Sequence, residues 1–385
     1  MNKILKLIAL NFFIFFSCLF IADILVAKFF FPKEIKQTYK ISDRYINLRE
    51  WMPELNSDIF SPQIHETIEN MNSIITDKNG FIMGPNSEFD YKDVDIVFLG
   101  GSTTECFYVK DSLRFPYLVG EILKSKLNKK ILTLNSGISG NGTIHSNLIL
   151  LSKILSFKPK YVFIMHNIND LAVLSKTGSY WDAPSSRSVI VDPSEKVYED
   201  KNLVYNFLRE TKNIFFRNIF MLFKMNFEIS DTYFKNKLVD SKDEFHSYRE
   251  NFFLSNKTDI ERVKKNYLNG INTFIEICRS NNLEPILMTQ FNRIENNSED
   301  FSNDFLNKGN SKEQLDSFIE TYKDFNKIIE EISIEKNVLF LDLNNLIPKQ
   351  KKYIYDSVHL TNEGSKLASD MIVEFSLKNL EFSSH

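Results

Sequence analysis

The sequence predicts an α/β protein: a three-layer α/β/α sandwich with a central parallel sheet of about five strands, preceded by an N-terminal transmembrane helix. Three observations point there. Five short apolar runs recur along the chain: DIVFLGG, KKILTLNSG, YVFIMHN, EPILMTQF and NVLFLDL. Amphipathic helical stretches separate them, the alternation expected of a parallel sheet whose crossovers cover both faces. Finally, LIALNFFIFFSCLFIADILVA runs for 21 residues from Leu7 to Ala27, long enough to span a hydrocarbon core as a helix.

Lys3 and Lys6 precede that first segment, and Asp23 lies near its far end, where a carboxylate approaches the headgroups. A cleaved signal peptide is the main rival. Its apolar region is usually shorter, and no clean small-x-small site occurs before Lys28. A lipid-bearing Cys18 fits less well, because apolar sequence continues past it. Lys3 and Lys6 favour a cytoplasmic start, although Lys28, Lys33 and Lys36 flank the other side. The expected arrangement is a single-pass anchor over residues 1–32, with the catalytic domain on the extracytoplasmic (periplasmic or outer) face.

Residues 33–93 include WMPELNSDIFSP and DKNGFIMGPNSEFD, rich in turn formers, and read as a stalk and a small N-terminal cap. The main domain is expected over 94–382. Its helices are RFPYLVGEILKSKL, HSNLILLSKILSF, DIERVKKNYLNGINTFIEICRSNN and EQLDSFIETYKDFNKIIEEISIEKN. Thr361 and Gly364, followed by Leu367, Met371, Ile372 and Phe375, predict a final helix. Between Asp170 and Asp356 the chain is longer than two strand–helix units require, and the excess falls at about 175–258. That insertion is aromatic and carries Arg209, Lys212, Arg217 and Lys224. It reads foremost as a helical cap whose aromatics join the core, then as a lid, then as an interfacial helix on a membrane.

The charge is balanced, with 25% charged residues and a net −3, so nothing suggests a nucleic-acid surface. Three cysteines make no disulfide framework; with Cys18 in the apolar segment, Cys106 and Cys278 read as buried thiols. His166 ends the strand YVFIMHN and His145 opens a helix-like run; neither has metal-ligand spacing. GISGNG fails the dinucleotide-binding spacing. No cofactor and no metal are expected.

Four segments carry the chemistry: VFLGGSTTE, NSGISGNGT, HNIND and DSVHLTNEG. Together they supply a serine, an orienting acid, a histidine and oxyanion donors, the parts that acyl transfer through a serine needs. Ser102 follows a buried strand and a glycine pair, where a helix begins and backbone N–H groups lack internal partners. The plain alternative is a serine that only caps the helix. Asp356 and His359 are three apart, so the carboxylate reaches the ring N–H of the same turn and leaves the other nitrogen for the serine. The plain alternative there is a helix-entry aspartate and a surface histidine. Asn169 otherwise reads as a loop cap and Gly140 as a turn glycine, with Gly137 and Gly142 close by.

These segments resemble the SGNH (GDSL-type) hydrolases, over roughly residues 95–378 with a large interruption. The resemblance implies the SGNH, flavodoxin-like sheet. It makes Ser102 the nucleophile, Asp356 and His359 its partners, and Ser102, Gly140 and Asn169 the oxyanion donors. Two positions depart from the family pattern: Gly101 stands where GDS has aspartate, and Asn167 where the third block has glycine. The GGSTT form is similar to a membrane-anchored branch associated with surface glycans. The expected function is a serine-dependent esterase or deacylase acting on ester-linked acyl groups, acetyl foremost, of a cell-surface glycan. The alternatives are an O-acyltransferase of the same glycan class, which shares the first half-reaction, and a catalytically silent glycan-binding or assembly module. Long-chain lipids are the next substrate class. Gln290, Asn292 and Arg293, just after the fourth strand, are candidates for substrate contact, with a polar loop end as the alternative reading. The partners expected are thus the acyl ester, a glycan and the membrane; the oligomeric state is not fixed by the sequence.

Overall fold

The computed structural model describes residues 3–30, 45–46, 48–60, 71–85, 91, 94–181, 189–191, 259–295, 302–303, 306 and 311–382. The chain forms two compact units. One comprises Met1–Arg44 with Asp192–Glu244, the other Tyr45–Val191 with Phe245–His385. Most of the expected insertion at 175–258 lies outside the described residues.

In the first unit the described element is helix α1, Lys3–Phe30. Among the described residues no helix is long and apolar enough to cross a membrane. The expected transmembrane span is therefore corrected at this level to an apolar helix; its side chains are described without a break over 10–26. Within that stretch Leu10, Phe12, Phe13, Phe15, Ile21 and Ile24 are exposed, Phe13 by 72%.

The second unit holds the predicted sheet. Its strands are β4 (Ile96–Gly100), β5 (Thr133–Gly137), β6 (Tyr161–Met165), β8 (Glu284–Met288) and β9 (Leu339–Leu341), in the order β5-β4-β6-β8-β9. All four pairings are parallel. Strand alternation explains the three layers. Val97 and Leu99 of β4, Val162 and Ile164 of β6, and Leu287 of β8 enter one apolar core. Ile96 and Phe98, Phe163 and Met165, and Ile286 and Met288 enter the other. Successive residues point to opposite faces, so a strand with both faces covered is apolar throughout.

The first core is closed by α4 (Thr143–Ser152), α5 (Ile168–Thr177), α6 (Ile260–Ser280) and α7 (Lys312–Lys336). The second is closed by α3 (Phe115–Leu127) and α9 (Asn362–Asn379). Local signals fix the helix starts. Ser311 and Gln314 form a capping box on α7, and Thr361 caps α9 by accepting from the Gly364 amide at 3.1 Å. Between β9 and α9 lies the short helix α8, Leu343–Leu346.

The segment expected to be stalk and cap is described from Tyr45 onward, and that part belongs to this same unit. It contains β1 (Tyr45–Ile46), paired with β7 (Ile190–Val191), and the antiparallel pair β2 (Asn56–Phe60) and β3 (Met71–Ile75). Ile82 then bridges to Asn135 on β5 and covers that edge of the sheet. The chain leaves β4 for β5 on one side and returns to β6 on the other. The carboxyl end of β4 is thus a topological switch point, where open α/β sheets bind ligands.

Candidate active site

Strand β4 ends at Gly100, and the short helix α2, Ser102–Glu105, starts immediately after it. The N-cap residue is Gly101, not Ser102. The Ser102 hydroxyl is thus not used for capping. Its Oγ lies 2.8 Å from Nε2 of His359. Nδ1 of His359 lies 2.7 Å from Oδ2 of Asp356. The other carboxylate oxygen, Oδ1, accepts the backbone N–H groups of Val358 at 2.9 Å and His359 at 2.8 Å. The three-residue spacing thus gives one carboxylate both jobs, closing the turn and fixing the ring. Burial pushes the Asp356 pKa up, but the His359 charge and these hydrogen bonds outweigh it and hold it below the usual carboxylate value. The Tyr355 ring lies parallel to His359, centroids 5.7 Å apart.

Asn169 and the loop that carries Gly140 border the end of β4. No backbone hydrogen bond to another described residue occupies the N–H of Ser102 or of Gly140. Gly140 has φ +79°, a backbone conformation that favours glycine, in the loop between β5 and α4. That loop is tied to β4 by Ile138 N–H donating to Gly100 O at 3.2 Å. Asn169, the second residue of α5, donates from Nδ2 to Asn141 O at 2.8 Å. Asp170 then accepts the Thr143 amide at 2.9 and 3.1 Å and fixes the far end of the loop. Burial raises the Asp170 pKa to about 6.

Gly101 has a physical reason. A Cβ there would stand 2.3 Å from Asn169 Nδ2 and 3.0 Å from Asn141 O. The departure from the GDS pattern therefore makes room for the Asn169 amide. Gly101→Ala is expected to displace Asn169 and lower ester turnover by about a hundredfold, the usual effect of losing one oxyanion donor. Steady-state kinetics check this; a variant within about threefold of wild type contradicts it.

Gln290, Asn292 and Arg293 are turned into the protein. Gln290 donates to Thr103 Oγ1 at 2.9 Å, and its Oε1 accepts Ile168 N–H at 2.9 Å and Tyr322 OH at 3.0 Å. It braces the starts of α2 and α5 against each other. Asn292 is fully buried and bonds Asn344 and Glu295. Arg293 donates from its backbone to Ser357 O at 2.9 Å and turns Nη1 toward the carbonyls of Ile354, Tyr355 and Asp356 at 3.3 to 3.4 Å. Gln290 and Arg293 thus support the segments that carry Ser102 and Asp356, while Asn292 ties to Asn344 and Glu295.

Glu105 is the last residue of α2. It is buried, accepting Trp51 Nε1–H at 2.9 Å and the Ser139 hydroxyl. Burial raises its pKa to about 7, against the lowering effect of those bonds and of Arg114. The protonated form is the one the fold favours, so that stabilisation is complete below pH 4.5 and is lost as pH rises through about 7. Glu105→Gln, which stays neutral, is therefore expected to gain stability over wild type as pH rises from about 5 to about 8, by roughly 3 kcal/mol at most. Denaturant unfolding across pH tests it; a constant difference between the two proteins refutes suppressed ionisation. Cys106 and Cys278 are buried, with pKa values pushed up to about 12 by desolvation, and are inert thiols at neutral pH.

No family model and no curated protein matches the chain. Solved structures do. A GDSL-like lipase from Bacteroides thetaiotaomicron is 12% identical, covering 76% of this chain and 93% of its own, with a TM-score of 0.39. An acetylxylan esterase from Geobacillus stearothermophilus is 14% identical, covering 74% of this chain and 95% of its own, with a TM-score of 0.40. These two solved structures are thus a GDSL-like lipase and an acetylxylan esterase. Likeness this distant carries no inference about substrate, which has to be read from the chain's own site.

Proposed function

We propose that the protein is a serine-dependent esterase that removes ester-linked acyl groups, acetyl foremost, from a cell-surface glycan. The observation that carries this reading is the unbroken Ser102–His359–Asp356 hydrogen-bond chain, at 2.8 and 2.7 Å, beside unengaged amides. His359 Nε2 takes the Ser102 proton as Oγ attacks the ester carbonyl. The Ser102 and Gly140 amides and Asn169 Nδ2 stabilise the oxyanion. The leaving alkoxide oxygen takes the proton from His359; water then gives a proton to the same ring as it attacks the acyl-enzyme, and the ring returns that proton to Ser102 Oγ as the acid departs. A sugar hydroxyl in place of water makes the same site an O-acyltransferase. A glycan-binding module needs none of this hydrogen-bond chain and is the weaker reading.

The proposal includes a membrane anchor. The exposed phenylalanines and aliphatics of α1, with the apolar run from Leu7 to Ala27, suit contact with lipid, and the esterase is placed on the extracytoplasmic face. The full chain in detergent micelles, given 4-nitrophenyl acetate and an O-acetylated oligosaccharide, is expected to release acetate from both. A folded preparation that turns over neither ester contradicts the esterase reading. Acyl transfer to an added sugar without free acetate favours the transferase. A C-terminal reporter active only in the cytoplasm contradicts the topology.

A further inference from the structure

The loop that carries Gly140 is held from outside the triad. Its own backbone ties are Ile138 N–H to Gly100 O at 3.2 Å and Asn141 N–H to Ile138 O at 3.0 Å. Neither bond restrains the Ser139–Gly140 peptide directly, and Gly140 is the residue with the most freedom to turn. That peptide is gripped through Ser139. Its hydroxyl hydrogen-bonds Glu105 Oε2, and its carbonyl accepts Arg49 Nη1 at 3.3 Å. Asn141 Nδ2 in turn donates to Arg49 O at 3.3 Å. Glu105 is the last residue of the helix that begins with Ser102, and its other oxygen accepts the Trp51 indole N–H at 2.9 Å. The indole is itself stacked on Phe107, centroids 6.0 Å apart and planes within 8°. One buried carboxyl group therefore joins the nucleophile helix, the glycine loop and the segment before β2.

We propose that Trp51 and Glu105 are positioning residues that hold the Gly140 amide where the oxyanion forms, an inference that rests on the esterase reading. Oxyanion stabilisation depends on donors fixed before the charge develops. Loosening this strap costs more in the transition state than in substrate binding, so the loss falls on kcat and not on KM.

The test is steady-state hydrolysis of 4-nitrophenyl acetate by the full chain in detergent micelles. Trp51→Phe leaves an aromatic ring to face Phe107 and deletes the N–H donor together with the five-membered ring that bears it. Ser139→Ala cuts the other arm. Each is expected to lower kcat about tenfold while KM stays within about twofold. Glu105→Leu is expected to lose at least as much. Glu105→Gln, which still accepts from the indole and donates to the Ser139 hydroxyl, recovers most of that loss. Trp51→Phe and Ser139→Ala with wild-type kcat, or Glu105→Gln as impaired as Glu105→Leu, overturn the inference alone. Wild type without turnover overturns the esterase reading and this inference together.

Discussion

Ser102→Ala is expected to lower ester turnover by about 10⁴-fold or more, with the fold unchanged. The hydroxyl lies 2.8 Å from His359 Nε2, and it takes no part in capping the helix. Removing it therefore deletes the proposed nucleophile and its bond to His359 without deleting a helix cap. A serine that served only as a helix cap would give the opposite result, a loss of stability with turnover intact. Parallel thermal melts and initial rates separate the two. A variant as stable as wild type with turnover near background is the expected pair.

Asp356→Asn is expected to lower turnover by about 10⁴-fold, and the reason lies in how the carboxylate is shared. Oδ1 accepts two backbone N–H groups, and Oδ2 faces His359 Nδ1. An asparagine has one acceptor oxygen to offer. Turned toward the amides, it presents its NH₂ to the ring, so Nδ1 has to be the unprotonated nitrogen. The proton then sits on Nε2, which no longer accepts from Ser102. Turned the other way, it sets an NH₂ against two N–H donors and opens the turn. Both outcomes disable the base. The decline is expected in kcat, with the Asp356→Asn variant still folded. Turnover within about tenfold of wild type contradicts the assigned orientation of His359.

The sheet was legible because its signals are local. All five apolar runs became the five strands of the parallel sheet, and the helices between them cover its two faces. The segments around Ser102, Asp356, His359, Gly140 and Asn169 could also be singled out in the sequence, and the structure joins Ser102, His359 and Asp356 by hydrogen bonds. What remained hidden is long-range. Trp51 and Glu105 are 54 positions apart, and nothing beside either one announces the other. The direct hydrogen bonds of Gln290, Asn292 and Arg293 were equally invisible. A polar run after a strand looks the same whether it faces a ligand or braces a loop, and here Gln290 braces two helix starts while Arg293 props the turn that holds Asp356. Gly101 shows a third case. Its sequence departure from GDS is plain, but the reason, the Asn169 amide in the space of a side chain, exists only in three dimensions.

The most direct test of an activated serine is covalent labelling of the full chain with a fluorophosphonate, read by intact mass for wild type and Ser102→Ala. The predicted result is a single adduct on wild type and none on Ser102→Ala. An adduct that persists in Ser102→Ala, or a folded wild type that takes no label, contradicts the assignment of Ser102 as the nucleophile.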